Sequence, residues 1–267
     1  MTRMLRIEQK NHSIVVIIKQ DEKRIFFCYN MCATKAIFIL YSKEIILTME
    51  EKDILKLIDH TQLQPNATWE DIVSLCDEAV KYGTATVCIP ATYLKRVHDK
   101  YGDNLKLCTV IGFPLGYNSA NSKVTEAKDA IADGASEIDT VVNISDVKNH
   151  RYDEVKKELE MIRKACGDKL LKVIIETCYL TEDEKVELCK IVTDVKADYI
   201  KTSTGFGTAG ATLADIELFK KNIGPDVKIK AAGGIRTIED ALAYAEAGCS
   251  RIGSSKVAPL IAAKYGL

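Results

Sequence analysis

Two lysines, Lys201 and Lys230, hold matching places in consecutive segments of the chain. Residues 198–202 form a β-branched and aromatic run that predicts a buried strand, and residues 227–231 form a second such run. Each run ends in a glycine-containing loop, followed by a threonine that starts a helix. A lysine within a buried strand is costly unless it is paired, neutral or used. A single strand-end lysine would be expected to reach solvent, but two at similar depth on successive strands indicate a functional pair.

Two neighbouring lysines support a specific chemistry. A free lysine has a pKa of about 10.4, so it is mostly protonated at neutral pH and cannot attack a carbonyl. A second cation and desolvation lower the pKa of such a group and free the amine. We therefore expect Lys201 to be a nucleophile and Lys230 to be its electrostatic partner. The product would be a Schiff base, which is an electron sink for the cleavage of a carbon–carbon bond.

Asp139 adds a carboxylate to this pair. It lies in the predicted strand 137–142, where Glu137 and Val141 share its face because side chains alternate along a strand. Such a carboxylate would keep Lys230 charged and pass protons through water. The alternative is a structural ion pair between Asp139 and one lysine. That alternative does not account for two lysines beside one nearby carboxylate.

Small residues follow three consecutive predicted strands and predict a phosphate site. They are Gly205 after the sixth strand, Gly233 and Gly234 after the seventh, and Ser254 and Ser255 after the eighth. Glycines let backbone N–H groups approach an anion, and serines cap a helix start. Each piece alone could be an ordinary turn or cap. Together, in this order, they match the phosphate cradle of a (β/α)8 barrel.

Eight short apolar runs alternate with helical patterns from residue 50 onward. The predicted strands cover residues 57–61, 84–89, 105–111, 137–142, 170–176, 198–202, 227–231 and 251–253. Threonine-led capping boxes at Thr68, Thr181, Thr212 and Thr237 mark helix starts. The alternation predicts an α/β fold with a single (β/α)8 TIM barrel. A doubly wound open sheet is the alternative, but no Gly-x-Gly-x-x-Gly follows the first strand.

Composition narrows the classes of function. The chain has 267 residues and a formal net charge of −1, which gives no support to binding of nucleic acid or anionic membranes. No apolar run reaches the roughly 18 residues of a transmembrane helix. The 9 cysteines include no Cys-x-x-Cys pair, so we expect no disulfide framework and a cytoplasmic location. The 4 histidines show no ligand spacing and so predict no metal site.

Residues 1–48 differ from the rest of the chain. They carry apolar bursts at residues 14–18 and 36–41 but no glycine or proline. The bursts are too short to span a membrane, and acidic residues and the lack of a small-residue cleavage pattern argue against a secretory signal. We expect residues 1–48 to be an N-terminal extension, with Met49 as a natural initiator of a barrel domain over residues 49–267. A β-rich appendage, such as a hairpin, is the alternative.

Seven motifs within residues 50–267 resemble those of the deoxyribose-phosphate aldolase family, whose members are class I, Schiff-base-forming aldolases. They are Leu57-Ile-Asp-His-Thr-Gln-Leu63, Val110-Ile-Gly-Phe-Pro-Leu-Gly116, Glu137-Ile-Asp139, Lys172-Val-Ile-Ile-Glu-Thr177, Ile200-Lys-Thr-Ser-Thr-Gly205, Lys230-Ala-Ala-Gly-Gly-Ile-Arg-Thr237 and Arg251-Ile-Gly-Ser-Ser255. The motifs span the whole predicted barrel in order, which makes the resemblance specific. Residues 1–48 have no counterpart in the family.

The resemblance implies roles for individual residues. Lys201 would be the Schiff-base lysine, Lys230 its electrostatic partner and Asp139 the proton-relay acid/base. The residues that would face the substrate phosphate are Gly205, Gly233, Gly234, Ser254 and Ser255. Asp59 would lie near the substrate hydroxyls. Phe206 stands where some members carry a lysine that adds charge near the phosphate.

The implied reaction is the reversible cleavage of 2-deoxy-D-ribose 5-phosphate to D-glyceraldehyde 3-phosphate and acetaldehyde. It requires no metal or organic cofactor, its partner is a small phosphorylated sugar, and a homodimer is the expected assembly. Another lysine-dependent phosphosugar aldolase or isomerase on the same barrel is one alternative, and a non-catalytic phosphosugar-binding protein is another. An isomerase uses a carboxylate base and a binding protein has no need of Lys201, so the set of Lys201, Lys230 and Asp139 favours the aldolase.

Overall fold

Three antiparallel strands come first in the chain. The computed structural model describes residues 4–10, 13–20, 23–30 and 50–267. The first strands are β1 (Met4–Lys10), β2 (Ser13–Gln20) and β3 (Lys23–Asn30). They form one sheet in the order β1-β2-β3, with Met4 opposite Lys19 and Ser13 opposite Asn30. The β-rich alternative therefore describes this stretch, whereas the apolar burst at 36–41 lies outside the described residues.

Eight parallel strands close into a barrel within the unit Met49–Leu267. They are β4 (Ile58–Thr61), β5 (Thr86–Cys88), β6 (Leu107–Ile111), β7 (Glu137–Val141), β8 (Leu170–Ile174), β9 (Tyr199–Lys201), β10 (Lys228–Ala232) and β11 (Arg251–Ser254). Their order around the barrel follows the sequence, and β11 pairs with β4 to close it. The predicted TIM barrel is confirmed, and the predicted strands differ from the observed ones only near their ends.

Helices fill the gaps between the strands and bury the outer face of the barrel. They are α1 (Trp69–Tyr82), α2 (Leu94–Tyr101), α3 (Ala120–Ala132), α4 (Ile144–Lys148), α5 (Tyr152–Cys166), α6 (Glu182–Asp194), α7 (Leu213–Asn222), α8 (Ile238–Glu246) and α9 (Val257–Tyr265). Strand residues such as Ile138, Ile200 and Ile229 belong to the buried apolar core. Because side chains alternate along a strand, their neighbours point into the barrel. Among the described helices, none has the length and apolar character needed to cross a bilayer.

Threonine caps fix several helix starts, and one predicted capping box is incomplete. Full boxes form at Thr68, Thr181 and Thr237, where the backbone and side-chain bonds are reciprocal. At Thr212 the hydroxyl accepts from the backbone N–H of Asp215, but no return bond to the cap backbone forms. Oδ2 of Asp215 instead accepts from the Thr212 hydroxyl at 2.8 Å, while Oδ1 pairs with the Lys185 ammonium at 2.6 Å and holds the carboxylate away from the cap backbone.

Candidate active site

Lys201 and Lys230 meet at one carboxylate oxygen. The two residues are register partners on the neighbouring strands β9 and β10. Both Nζ atoms donate to Oδ2 of Asp139, each at 2.7 Å. All three side chains are buried. The two lysines thus lie at the same depth, as the sequence predicted, and the structure brings them together with Asp139.

A third lysine, which the sequence analysis did not single out, holds the other oxygen of Asp139. Lys172 donates to Oδ1 of Asp139 at 2.8 Å and lies 2.6 Å from Oε2 of Glu137. It is fully buried and is the register partner of Asp139 on β8. The available signal was a lysine inside an apolar strand, the same pattern that drew attention to Lys201. Because both oxygens of Asp139 are engaged, its carboxylate is fixed in orientation.

Asp59 lies behind the lysine pair. It is fully buried and accepts hydrogen bonds from Lys230, from Arg251 Nη1 at 2.6 Å and from Thr86 Oγ1 at 2.8 Å. Arg251 also donates to Glu137 at 2.9 Å. Asp59 is thus enclosed by Lys230 and Arg251, and its expected place near the substrate hydroxyls stays a prediction. Its contacts make it a support for Lys230.

Charged groups fill the barrel interior, so the expectation of two lysines with one nearby carboxylate is wrong. The members of this interior cluster are Lys172, Lys201, Lys230, Arg251, Asp59, Glu137 and Asp139. Four cationic side chains and three carboxylates leave one positive charge in excess when all are ionised. A buried set of this kind is stable only when its members pair with each other. The cluster therefore has room for one lysine to become neutral without leaving a carboxylate unpaired.

The neighbours of Asp139 and Lys230 keep both groups charged. Burial alone would raise the pKa of Asp139, but the three lysines around it outweigh burial and hold its pKa well below the ordinary range. Burial likewise would lower the pKa of Lys230, but Asp139 and Asp59 outweigh it and raise that pKa above its usual value. The pKa of Lys172 is raised for the same reason, against the effect of burial. Asp139 is therefore an anion, and Lys230 and Lys172 are cations, throughout the physiological pH range.

An open cavity of about 820 Å³ lies at the carboxyl ends of the strands. Lys201 lines it, whereas Lys230 and Asp139 lie behind Lys201. The residues predicted to bind phosphate line the same cavity, namely Gly205, Gly233, Gly234, Ser254 and Ser255. The structure thus brings the candidate nucleophile and the candidate phosphate loops to one space. A cavity of this size fits the range of small-molecule sites.

Glycine suits the backbone of the candidate phosphate loops where they turn. Gly205, Gly233 and Gly234 have φ values of +86°, +83° and +79°, a conformation that glycine adopts without steric cost. At Gly233 the loops also come close together, because an added Cβ would lie 3.0 Å from Cα of Gly210. No heavy atom lies within 4 Å of a Cβ built on Gly234. The loop after β10 therefore packs tightly on one side and is open on the other.

The hydroxyl of Ser254 is already used inside the protein. Its Oγ donates to the Ile235 carbonyl at 2.9 Å and accepts from the backbone N–H groups of Lys256 at 3.1 Å and Val257 at 3.3 Å. The predicted serine N-cap does not form, because the N-cap residue of α9 is Lys256 and makes no side-chain cap bond; Ser254 binds the N–H groups of Lys256 and Val257 from two residues before the cap. Ser255 is exposed and faces the cavity edge. An anion bound here would meet backbone N–H groups and Ser255 more readily than the Ser254 hydroxyl.

The cavity rim carries two exposed cations that the sequence analysis missed. Arg236 and Lys256 line the cavity; Lys256 directly follows Ser255, and Arg236 lies two residues after Gly234. A basic residue close to a glycine or serine loop was the available signal. Phe206 also lines the rim and packs edge-on against Phe113, with ring centroids 5.3 Å apart. The rim therefore combines positive charge with an apolar surface.

Two groups of buried side chains have the geometry of metal ligands. Cys88, Cys108 and Asp139 form one group, and Asp59, Cys108 and Glu137 form the other, with ligand atoms within 4.8 Å of one another. Their carboxylates already pair with lysine or arginine side chains. A divalent cation would have to displace or oppose those charges, so both groups fit the ion-pair cluster better than a metal.

Fold and site together define a (β/α)8-barrel enzyme whose cavity ends at a buried lysine cluster. Residues 53–255 match the model of the DeoC/LacD family aldolases. The deoxyribose-phosphate aldolase of Clostridium botulinum (strain Alaska E43 / Type E3) is 59% identical over 213 residues, 80% of this chain and 96% of the relative. That of Clostridioides difficile (strain 630) is 58% identical over 210 residues, 79% of this chain and 96% of the relative.

A solved structure supports the same assignment. The tetrameric deoxyribose phosphate aldolase from Aeropyrum pernix is 31% identical, with a TM-score of 0.75, over 81% of this chain and 93% of that one. The chain belongs to the DeoC/LacD aldolase family and is a lyase.

Proposed function

We propose that this chain reversibly cleaves 2-deoxy-D-ribose 5-phosphate to D-glyceraldehyde 3-phosphate and acetaldehyde. The relatives named deoxyribose-phosphate aldolase support this substrate. The observation that carries the chemistry is that Lys201 lines the cavity while hydrogen-bonded to an Asp139 oxygen that it shares with Lys230. A lysine placed in this way has access to a carbonyl and a fixed route for its proton.

The reaction begins at the open-chain form of the sugar. The neutral amine of Lys201 adds to the C1 aldehyde, and loss of water gives an iminium ion. The C2–C3 bond then breaks: its electron pair moves into the iminium to give an enamine, and the C3 hydroxyl loses its proton to become the aldehyde of D-glyceraldehyde 3-phosphate. Protonation of the enamine at C2 and hydrolysis release acetaldehyde and restore the amine.

Asp139 and Lys230 handle the protons of this cycle. Oδ2 of Asp139 contacts both ammonium groups, so it takes the proton leaving Lys201 only transiently and passes it to water in the cavity. Lys230 stays charged because Asp59 and Asp139 raise its pKa. When Lys201 is neutral, the remaining three cations of the interior cluster balance its three carboxylates. The charge balance of the barrel interior thus favours the reactive form of one lysine.

The phosphate of the substrate occupies the loops after β9, β10 and β11. Gly205, Gly233 and Gly234 supply left-handed turns at the cavity wall, and Ser255 adds a hydroxyl. Arg236 and Lys256 supply the positive charge at the rim. These cations offset the absence of a lysine at Phe206, since a dianionic phosphate is held by charge as well as by N–H donors.

Trapping with borohydride tests the proposal. The full chain is treated with acetaldehyde and sodium borohydride, measured by intact mass and digested for peptide mapping. We expect a mass gain of one ethyl group, located on Lys201, and no gain in Lys201→Leu. A label on Lys230 or Lys172 would reverse the roles of the lysines. A chain that is neither labelled nor able to cleave the sugar phosphate would contradict the proposed function.

The homodimer and the cytoplasmic location expected from the sequence also belong to this proposal. The Aeropyrum pernix relative is described as a tetramer, so relatives of this chain form assemblies. Light scattering of the purified full chain measures its oligomeric state. A monomeric mass at working concentration would contradict the dimer without affecting the assignment of Lys201.

A further inference from the structure

Glu176 is a buried carboxylate that lies outside the interior cluster and has an unusual backbone. It lies two residues after the end of β8, is 1% exposed and has a φ of +53°. Residues other than glycine rarely adopt this left-handed conformation, and when they do so the surrounding structure must hold them there. The conformation and the burial of a charged group are both costly. Because both costs fall on one residue beside the loop that lines the cavity, we expect the Glu176 side chain to serve a function there.

The Glu176 carboxylate binds the loop that follows Lys201. It accepts from the backbone N–H of Thr204, with 3.2 Å to each oxygen, and from the Thr204 hydroxyl. The same hydroxyl accepts from the backbone N–H of Phe206 at 3.0 Å. One carboxylate therefore fixes both the main chain and the side chain of Thr204, and through them the next turn of the loop.

The backbone on either side of Glu176 is tied to the same stretch. The N–H of Ile175 donates to the Lys201 carbonyl at 3.1 Å, and the N–H of Thr177 donates to the Thr202 carbonyl at 3.0 Å. The loop also passes close to the side chain, because a Cβ added to Gly207 would lie 3.1 Å from Cδ of Glu176. The left-handed turn at Glu176 is what allows both neighbours to keep their ladder bonds while the side chain faces the loop.

We propose that Glu176 is a positioning residue that fixes the loop over residues 202–207 so that Lys201 and Gly205 reach the two ends of one substrate. The inference rests on the proposed function, in which Lys201 binds the aldehyde end and Gly205 the phosphate end. Lys201 itself is held by Asp139 and by β9. Loss of the Glu176 contacts therefore moves the phosphate end and leaves the nucleophile in place.

The pKa of Glu176 shows that burial of its carboxylate is unfavourable, which agrees with a role in positioning and not in stability. Burial raises its pKa above the ordinary value, and the hydrogen bonds from Thr204 only partly offset this effect. A side chain selected for stability alone would be apolar at such a buried site, or glycine at such a φ value. The carboxylate is retained where its three hydrogen bonds from Thr204 order the loop.

The test is Glu176→Gly, with Lys196→Gly as the matched control. Lys196 also has a left-handed φ, +56°, but it is exposed and does not line the cavity. Both changes relieve backbone strain and add the same unfolded-state freedom. Only Glu176→Gly also removes buried hydrogen bonds to Thr204, so we expect it to melt at a lower temperature than Lys196→Gly. In Glu176→Gly, kcat/KM for 2-deoxy-D-ribose 5-phosphate should fall about 100-fold with a raised KM, because misplacement by about 1 Å costs this much. Borohydride trapping with acetaldehyde, which has no phosphate, should stay within about 3-fold of the parent, and Lys196→Gly should match the parent in both assays.

Two results would overturn the inference. One is parental kcat/KM for the sugar phosphate in Glu176→Gly, and the other is an equal loss of trapping and cleavage. If Glu176→Gly does not fold, Glu176→Gln decides in its place: it keeps the shape and one acceptor, so it should show the same split with a smaller loss, and parental or uniformly reduced values would reject the role. A parent chain that is neither trapped nor active would instead overturn the proposed function, and this inference with it.

Discussion

Lys201 contacts fewer carboxylates than the other two lysines of the interior cluster. Within the described barrel, Lys201 pairs with Asp139 alone, Lys230 pairs with two carboxylates and Lys172 with three. Each contacting carboxylate attracts a lysine ammonium, so Lys201 has the weakest electrostatic attachment of the three. Lys201 is also the one of the three that lines the cavity. The number of carboxylate partners and the access to the cavity both distinguish Lys201 from Lys230 and Lys172, which supports the expectation that Lys201 is the nucleophile.

Replacement of Lys230 by leucine should shift the pH dependence of turnover. Lys230→Leu removes a cation next to Lys201 and leaves Oδ2 of Asp139 to Lys201 alone. Both effects favour the protonated form of Lys201, so less free amine exists at neutral pH. We expect turnover to fall about 100-fold near pH 7 and to recover partly as the pH rises. The measurement is a pH–rate profile beside that of the parent.

Lys228→Leu is the control for that experiment. Lys228 lies on the same strand, two residues before Lys230, but it is exposed. Its profile should coincide with that of the parent. If Lys230→Leu lowers the height of the profile without displacing it, then Lys230 acts by positioning or by proton transfer, and the charge argument is wrong.

At the scale of elements, the loop after β10 contains two glycines that are needed for different reasons: both have a left-handed backbone, but only one lies against a neighbouring loop. Gly233 and Gly234 are both left-handed, so alanine at either position costs about 1–2 kcal/mol of backbone strain. Only Gly233→Ala also meets a neighbouring backbone, at 3.0 Å from Cα of Gly210. We expect Gly233→Ala to melt at a lower temperature than Gly234→Ala and to have a kcat/KM for the sugar phosphate about 10-fold lower.

Kinetics with phosphorylated and unphosphorylated substrate check this expectation. The gap between the two variants should shrink with 2-deoxy-D-ribose, because the displaced loop serves the phosphate. The same gap with both sugars would mean that the loop acts on Lys201 and not on the phosphate.

The elements were predictable from sequence because their signals are local. Runs such as 198–202 are apolar and β-branched, and capping boxes such as that at Thr68 place both halves of the signal within four residues. The paired depth of Lys201 and Lys230 followed from the similar position of each lysine in its run. The incomplete box at Thr212 was not predictable, because Asp215 takes its partner Lys185 from α6, 30 residues away.

The pairing within the interior cluster could not be predicted from sequence either, because its members are also distant from one another along the chain. Asp59 and Arg251 are 192 residues apart, and Glu137 and Arg251 are 114 apart. These pairs exist only because β11 closes onto β4 and the interior side chains then meet across the barrel. The left-handed turn at Glu176 was equally hidden, since glutamate carries no preference for that conformation.

At the scale of the whole molecule, the barrel residues should be sufficient for folding and catalysis. The barrel strands and all residues of the candidate site lie after Met49, and the family match covers residues 53–255. We expect residues 49–267 expressed alone to melt within about 4 °C of the full chain, which for this size corresponds to about 1 kcal/mol. Turnover of the sugar phosphate should equal that of the full chain. The two preparations are compared by thermal unfolding and by steady-state kinetics, and a shortened chain that fails to fold would show that the barrel depends on residues 1–48.

The first and last elements of the barrel unit are neighbours, because β11 pairs with β4 and Glu51 binds Lys264 at 2.7 Å and Tyr265 at 3.0 Å. The barrel could therefore be built from a circularly permuted chain, whose termini lie at a different place around the barrel. A permuted chain that joined these two regions by a short linker would incur little loop-closure entropy. Asp59 and Arg251 would then be close in sequence, and the contact order of the interior cluster would fall. Such a chain should fold by a different route and at a different speed while it builds the same lysine cluster.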